Sequence, residues 1–196
     1  MKQLLITGFD PFGGERVNPS WEAVCRLPDE VGLWRLTKLQ IPTVFGLAAQ
    51  RVLETACRIK PDAILCVGQA GGRNALTPEV VAINLREASI PDNAGNQPAN
   101  LPVDGEGPCA YFATVPVREM VAAIQSAGYP AALSYSAGAF VCNDLLYTLL
   151  HRFNGTGTQA GFIHVPFLPE QAKENQPSMP LDDMIGALTA AIGAMG

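Results

Sequence analysis

The chain has 196 residues, of which 48% are hydrophobic and 16% charged, and its formal net charge is -5. This composition suits one folded domain with a sizeable core and argues against a disordered chain. The acidic balance argues against a nucleic-acid-binding surface, and no apolar run is long enough to predict a membrane span. The first apolar stretch is short and ends in Gly8, which indicates a strand rather than a signal peptide. We therefore expect a cytoplasmic protein.

Short apolar runs alternate with segments of helical periodicity. The predicted strands, in chain order, are 4–7, 34–41, 63–67, 80–85, 132–136 and 161–165. The predicted helices are 20–26, 44–59, 117–127, 143–153 and 181–195. This alternation predicts an α/β fold, in which a mostly parallel central sheet has helices on both faces and one domain spans residues 1–196. Ligands of such folds bind at the carboxyl ends of the strands, and the turn at 136–142 lies at one of them.

The five cysteines are scattered, odd in number and without a CxxC motif. They indicate reduced thiols rather than a disulfide framework or a structural zinc site. Residues 91–108 form the one long stretch without regular periodicity, and a loop of that length in a compact domain is usually functional or mobile.

Cys142 lies where a loop enters a predicted helix, in the stretch "SAGAFVCND". Unpaired amides and the positive end of the helix dipole stabilise a thiolate at such a position, and the same amides can bind an oxyanion. Cys25, Cys57 and Cys66 lie within helical or strand patterns, where a thiol is usually a small buried hydrophobe. Cys109, beside the long loop, stays an alternative nucleophile, and a core position stays an alternative for Cys142.

A thiol nucleophile needs a base, and the chain has only two histidines. His151 follows Cys142 by nine residues on the same predicted helix, which places it roughly 13 Å away along the axis. His164 ends a strand and is compatible with contact, although a histidine satisfied in the core fits the pattern equally. Glu79, at the mouth of another strand, is a candidate to orient the imidazole or a solvated surface carboxylate.

Six motifs together resemble the pyroglutamyl peptidase I family, also called pyrrolidone-carboxylate peptidases. They are "ITGFDPFGGERVNPSW", "VGQAGGR", "PEVVAIN", "SIPDNAGNQP", "AGAFVCN" and "GFIHVPFLPEQ", and they run in the family's order from the first strand to about residue 171. The resemblance implies a cysteine peptidase that removes N-terminal pyroglutamate (5-oxoproline) from peptides through a thioester. It also implies an α/β/α sandwich without metal or cofactor, located in the cytoplasm and assembled as a homo-oligomer, a tetramer or a dimer. The family's Glu–Cys–His triad maps onto Glu79, Cys142 and His164.

Pyroglutamate is a flat, uncharged lactam, so its site should be apolar with a few placed hydrogen-bonding groups. The resemblance assigns Phe9, Phe12 and Phe140 to the aromatic lining, although packing under the first loop is the simpler interpretation of the first two. Asn18 and Gln69 lie in matching motifs, and each offers both a donor and an acceptor.

The sequence departs from the family at two positions that usually carry arginine, here Val80 and Ser89. Arg73 and Arg86 are the nearby candidates to supply the missing positive charge. Two alternatives to the peptidase stay open: a related hydrolase on the same fold that acts on another lactam or amide, and, because of the missing arginines, a homologue that only binds pyroglutamyl peptides.

Overall fold

The computed structural model describes residues 1–196 and is built around a six-stranded sheet. The strands are β1 (Lys2–Phe9), β2 (Glu30–Val31), β3 (Trp34–Ile41), β4 (Ala63–Gln69), β5 (Thr77–Pro78) and β8 (Gln159–Val165), with β6 (Val81–Ile83) and β7 (Ala110–Phe112) in a separate pair. The strand order in the sheet is β2-β3-β1-β4-β8-β5. The four central strands are parallel, and β2 and β5 add antiparallel edges. The mostly parallel sheet is as predicted.

Helices cover both faces of the sheet. They are α1 (Pro19–Arg26), α2 (Leu47–Ile59), α3 (Val117–Ser126), α4 (Val141–Arg152) and α5 (Leu181–Gly193). Helices α1, α3 and α5 pack on one face, and α2 and α4 on the other. The two faces make two hydrophobic cores, so the α/β/α sandwich is confirmed. No helix has the length and apolar character needed to cross a membrane.

Side-chain alternation along β1 serves both cores at once. Leu4 and Ile6 belong to the core under α1, α3 and α5, while Leu5 and Phe9 belong to the core under α2 and α4. All four are buried, and burying one such side chain stabilises the fold by about 1.5–3 kcal/mol. A strand buried on both faces reads as a continuous apolar run, which is why the sequence revealed it.

The predicted strand at 132–136 is wrong, because only isolated bridges form there. Ala131 pairs with Leu76 and Ser134 pairs with Glu79. Backbone hydrogen bonds join this segment to the residues before and after Pro78, but Pro78 itself has no N–H to donate. The interrupted ladder still brings the segment before Cys142 alongside the segment that contains Glu79.

Several element boundaries differ from the prediction. Helix α2 begins at Leu47 instead of residue 44, because Gly46 adopts a positive φ of 72° and its amide donates to Asp144. Helix α4 begins at Val141, two residues early, so Cys142 lies inside its first turn. The predicted strand 80–85 shortens to β6, which pairs with the unpredicted β7.

The long segment 91–108 has no helix or strand, as predicted, yet its first half is held by side chains. Asp92 is buried and accepts from the amides of Phe45, Ala94 and Asn96. Asn93 donates to the carbonyl of Pro11. These bonds fix the segment beside the loop that follows β1.

Candidate active site

Cys142 is the second residue of α4, and its sulfur lies close to the end of β4. The N-cap residue of α4, Phe140, offers no side-chain hydrogen bond, so the first amides of the helix have no side-chain cap. The chain reaches Phe140 through Gly138, whose φ of 75° favours glycine. A Cβ added at Gly68 would lie 3.0 Å from the Cys142 Sγ. Glycine at that position therefore lets the strand end approach the thiol.

His164 lies beside Gly68 in the sheet, since β4 and β8 pair these two residues. Its Nδ1 is 2.6 Å from the Oε1 of Glu79, and both side chains are almost fully buried. The ring centroid of Phe162 lies 4.7 Å from that of His164 and supports the imidazole. Because Nδ1 is engaged by Glu79, Nε2 is the nitrogen that is free to exchange a proton.

Glu79 follows β5 and is wholly buried. Its amide donates to the carbonyl of Phe162, and its Oε1 also accepts from Arg73 at 2.9 Å. Its Oε2 has no hydrogen-bond partner. The interpretation of Glu79 as a solvated carboxylate is therefore wrong, because the bridge to Ser134 and the pairing of β5 hold this residue inside the fold.

The surroundings set the protonation states of these three groups. Burial, together with the charge of Glu79, raises the pKa of the Cys142 thiol to about 12, although Arg73 acts in the opposite direction. Burial also lowers the pKa of His164 below its ordinary value, despite the hydrogen bond and charge of Glu79. Burial disfavours ionised Glu79, but its hydrogen bond to His164 and the charges of His164 and Arg73 bring its net pKa below the ordinary value.

The free protein at neutral pH therefore holds a thiol, a neutral imidazole and a carboxylate. The expectation that the start of the helix lowers the pKa of Cys142 and stabilises a thiolate is wrong. Desolvation and the charge of Glu79 raise this pKa by more than the helix amides lower it.

Cys142 and His164 share a cavity of about 390 Å³. The lining also contains all five residues predicted to bind substrate, which are Phe9, Phe12, Asn18, Gln69 and Phe140. Phe12 and Phe140 form an aromatic wall with ring centroids 6.3 Å apart, and Phe45 packs edge-on against Phe140 from behind. Phe9 is only 2% exposed and packs on Phe162, so it belongs to the core as well as to the cavity.

Asn18 and Gln69 differ in the hydrogen-bonding groups they offer to the cavity. Asn18 caps α1: its Oδ1 accepts from the amide and hydroxyl of Ser20, and its Nδ2 donates to the carbonyl of Asp10. Gln69 accepts from Gln171 through Oε1 and has an uncommitted Nε2. Gln69 is therefore the amide with a free donor for a ligand.

Seven residues line the cavity beyond the predicted substrate-binding residues, Cys142 and His164. They are Thr43, Ala70, Gly71, Arg73, Ser136, Ala137 and Gly138. Those at 136–138 belong to the loop in front of Cys142, so the sequence contained a signal for them. Thr43 lies more than 30 residues from Asp10, to which its hydroxyl donates, and no local pattern indicates that contact.

The competing candidates lie elsewhere. Cys109 is exposed and does not line the cavity. His151 lies near the far end of α4, where its Nδ1 is 2.8 Å from the hydroxyl of Tyr111. Val80 and Ser89 are also outside the cavity wall. No group of three or more His, Cys, Asp and Glu side chains is placed to hold a metal ion.

Comparisons with known proteins identify the family of the chain. The profile of the pyroglutamyl peptidase family matches residues 2–196. The chain is 51% identical to the pyrrolidone-carboxylate peptidase of Levilactobacillus brevis, covering 98% of this chain and 97% of that one. It is 48% identical to pyrrolidone-carboxylate peptidase 1 of Caldanaerobacter subterraneus, covering 97% and 96% respectively.

Solved structures show the same likeness. The crystal structure of Bacillus amyloliquefaciens pyroglutamyl peptidase I superposes with a TM-score of 0.96 at 48% identity, covering 100% of this chain and 97% of that one. The pyrrolidone carboxyl peptidase of Thermococcus litoralis superposes with a TM-score of 0.94 at 35% identity, covering 100% and 93%. The chain therefore belongs to the pyroglutamyl peptidase family of cysteine-type omega peptidases.

Proposed function

We propose that this protein removes N-terminal pyroglutamate from peptides, with Cys142 as nucleophile, His164 as general base and acid, and Glu79 as the group that orients the histidine. One observation carries the proposal. Cys142 and His164 line the same cavity, while Glu79 holds Nδ1 of His164 at 2.6 Å and leaves Nε2 free. This is the arrangement that a thiol–imidazole–carboxylate relay requires.

The first half of the reaction forms a thioester. As the Cys142 sulfur attacks the carbonyl carbon of the pyroglutamyl residue, His164 Nε2 takes the thiol proton. Uncapped amides in the first turn of α4 stabilise the oxyanion. The imidazolium then gives its proton to the departing amine, the carbon–nitrogen bond breaks, and the pyroglutamyl group stays on sulfur.

The second half returns the enzyme to its starting state. Water attacks the thioester while His164 accepts its proton, and the proton passes to the sulfur as pyroglutamate leaves. Glu79 stays ionised throughout, because it stabilises the imidazolium formed in each half.

The cavity suits the proposed substrate. A flat lactam without charge fits against the ring faces of Phe12 and Phe140, and Gln69 Nε2 is free to donate to its carbonyl. No Asp or Glu lines the wall to bind the ammonium of an unblocked N-terminus. We therefore expect prolyl and glutaminyl peptides to be excluded.

The test is hydrolysis of pyroglutamyl-aminomethylcoumarin beside prolyl- and glutaminyl-aminomethylcoumarin. The proposal predicts turnover of the pyroglutamyl compound alone. Equal turnover of the glutaminyl compound would indicate a related amide hydrolase. No turnover by freshly reduced, folded protein that still binds a pyroglutamyl peptide would indicate the binding-only homologue.

We further propose that residues 1–196 act as one catalytic domain in the cytoplasm, within a homo-oligomer. All five cysteines are free thiols, which suits a reducing compartment. Phe112 on β7 is 74% exposed, and Tyr135 is 64% exposed, as side chains at a subunit contact would be in an isolated chain. Light scattering after gel filtration tests the assembly, and a monomer at assay concentration would contradict it.

A further inference from the structure

Arg73 is the only Lys or Arg side chain in the wall of the cavity that contains Cys142 and His164. No Asp or Glu lines that wall. The side chain of Arg73 is 27% exposed, so the guanidinium extends from the surface into the site. It is the fixed positive charge of the candidate active site.

Arg73 shares one oxygen atom with the candidate base. The Oε1 of Glu79 accepts from Arg73 Nη1 at 2.9 Å and lies 2.6 Å from His164 Nδ1. The other oxygen of this carboxylate, Oε2, is buried without a hydrogen-bond partner. The guanidinium therefore restricts the rotation of the group that orients the imidazole.

The second guanidinium nitrogen reaches the loop that leads to the nucleophile. Nη2 of Arg73 donates to the carbonyl of Ser136 at 3.2 Å. That loop runs from Ser136 through Gly138 to the start of α4 and has no helix or strand of its own. Nη1 also contacts the hydroxyl of Thr77, at the end of β5.

We propose that Arg73 is a positioning residue for the reaction. By joining the Glu79 carboxylate to the Ser136 carbonyl, it fixes the carboxylate–histidine pair relative to the loop that presents Cys142. This inference rests on the proposed function. A planar guanidinium makes both contacts at once because its donors diverge, whereas an ammonium is a single point of charge.

The charge of Arg73 makes its role measurable in the pH dependence of activity, which a loss of packing alone would not shift. Arg73 lowers the pKa of His164 and of Cys142, alongside the larger effects of burial. Removing the charge therefore allows His164 to protonate more readily, and the acid limb of kcat/KM moves to higher pH.

Arg86 provides a matched control. Its side chain is also 27% exposed, and it pairs with a fully buried carboxylate, Asp144, at 2.6 Å. Arg86 lines a different cavity, away from Cys142 and His164. Its loss likewise removes an ion pair to a buried carboxylate, but Arg86 and Asp144 are not in the wall of the cavity that contains Cys142 and His164.

The experiment measures kcat/KM on pyroglutamyl-aminomethylcoumarin against pH for wild type, Arg73→Gln, Arg73→Lys and Arg86→Gln. We expect Arg73→Gln to lose about a hundredfold, with the acid limb at higher pH. Arg73→Lys should lose about tenfold and keep the wild-type acid limb, since it keeps the charge but not both contacts. Arg86→Gln should keep the wild-type acid limb.

A wild-type acid limb in Arg73→Gln, or wild-type activity in Arg73→Lys, would overturn the inference. If Arg73→Gln is unfolded or too slow to profile, the activity of Arg73→Lys decides the question alone. Absence of wild-type turnover would overturn the proposed function instead, so the two failures are distinguishable.

Discussion

At the scale of single residues, the candidate site pairs two neutral groups. Cys142 is held as a thiol and His164 as an imidazole, chiefly because the surrounding protein desolvates both groups. In the proposed reaction the thiol proton moves as the sulfur attacks, and Nε2 of His164 is the ring nitrogen that Glu79 leaves free to receive it. Glu79, ionised beside His164 and Arg73, makes that transfer favourable by stabilising the imidazolium.

This pairing predicts a broad pH profile. Activity should rise as His164 loses its proton, with an acid limb of kcat/KM below about pH 6.5, the ordinary pKa of histidine. Because the pKa of Cys142 is about 12, its ionisation should not limit activity at moderately alkaline pH. The measurement is kcat/KM against pH on pyroglutamyl-aminomethylcoumarin.

A thiolate–imidazolium pair in the free enzyme would give a different profile. Loss of the imidazolium proton would then lower the activity in the range where an ordinary cysteine titrates, near about pH 8.5, because the two groups titrate as a coupled pair. An alkaline limb in that range would contradict the neutral pair.

At the scale of elements, the candidate site depends on the close approach of the end of β4 to the first turn of α4. Gly68 allows that approach, since an added Cβ would lie 2.7 Å from Cζ of Phe162 and 3.0 Å from Sγ of Cys142. The glycine is needed for space and not for its backbone angles. The strand end therefore sets the position of the thiol.

Gly68→Ala should consequently displace Cys142 or the Phe162 ring beneath His164. We expect kcat/KM to fall by at least about tenfold, and the free energy of unfolding to fall by about 1–3 kcal/mol. Gly105→Ala is the matched control, because a Cβ there meets nothing within 4 Å. Equal activities of the two variants would show that the approach is not needed.

The sequence predicted the elements that are determined by local pattern. Strand β3 was predicted with its observed bounds because its apolar residues end at clear turn signals, and α3 and α5 ended within a few residues of prediction. The two- and three-residue strands β2, β5 and β7 were missed. Such short strands are stabilised by partners far away in the chain, and no local periodicity marks them.

The same division applies to the candidate site. Cys142 and His164 could be selected because one lies at a helix start and the other at a strand end. The ion pair between Arg73 and Glu79 depends on tertiary packing and could not be derived from spacing. The direction of the Cys142 pKa was mispredicted because the burial of a thiol is invisible in a sequence pattern.

At the scale of the whole molecule, one buried carboxylate links three distant segments. Asp144, on α4, accepts from the Arg86 side chain through Oδ1 at 2.6 Å and from the Gly46 amide through Oδ2 at 2.9 Å. These partners are 58 and 98 residues away in the chain. Asp144 thus ties the start of α2 and the segment after β6 to the helix that carries Cys142.

Asp144→Ala should lower the free energy of unfolding by about 3 kcal/mol, because it leaves the half-buried Arg86 cation and the Gly46 amide without a partner. Urea unfolding followed by circular dichroism measures the change. Asp182→Ala, at an exposed first-turn carboxylate of α5, should cost no more than about 1 kcal/mol. A loss at Asp144 no larger than at Asp182 would refute the role of this tie.

The central claim is that Cys142 is the nucleophile of a pyroglutamyl peptidase. The most direct test compares kcat/KM on pyroglutamyl-aminomethylcoumarin for wild type, Cys142→Ala and Cys109→Ala, with folding checked by circular dichroism. We predict a loss of at least about a thousandfold in Cys142→Ala and wild-type activity in Cys109→Ala, whose thiol is exposed outside the cavity. Near-normal turnover by Cys142→Ala, or loss of activity in Cys109→Ala alone, would contradict the account.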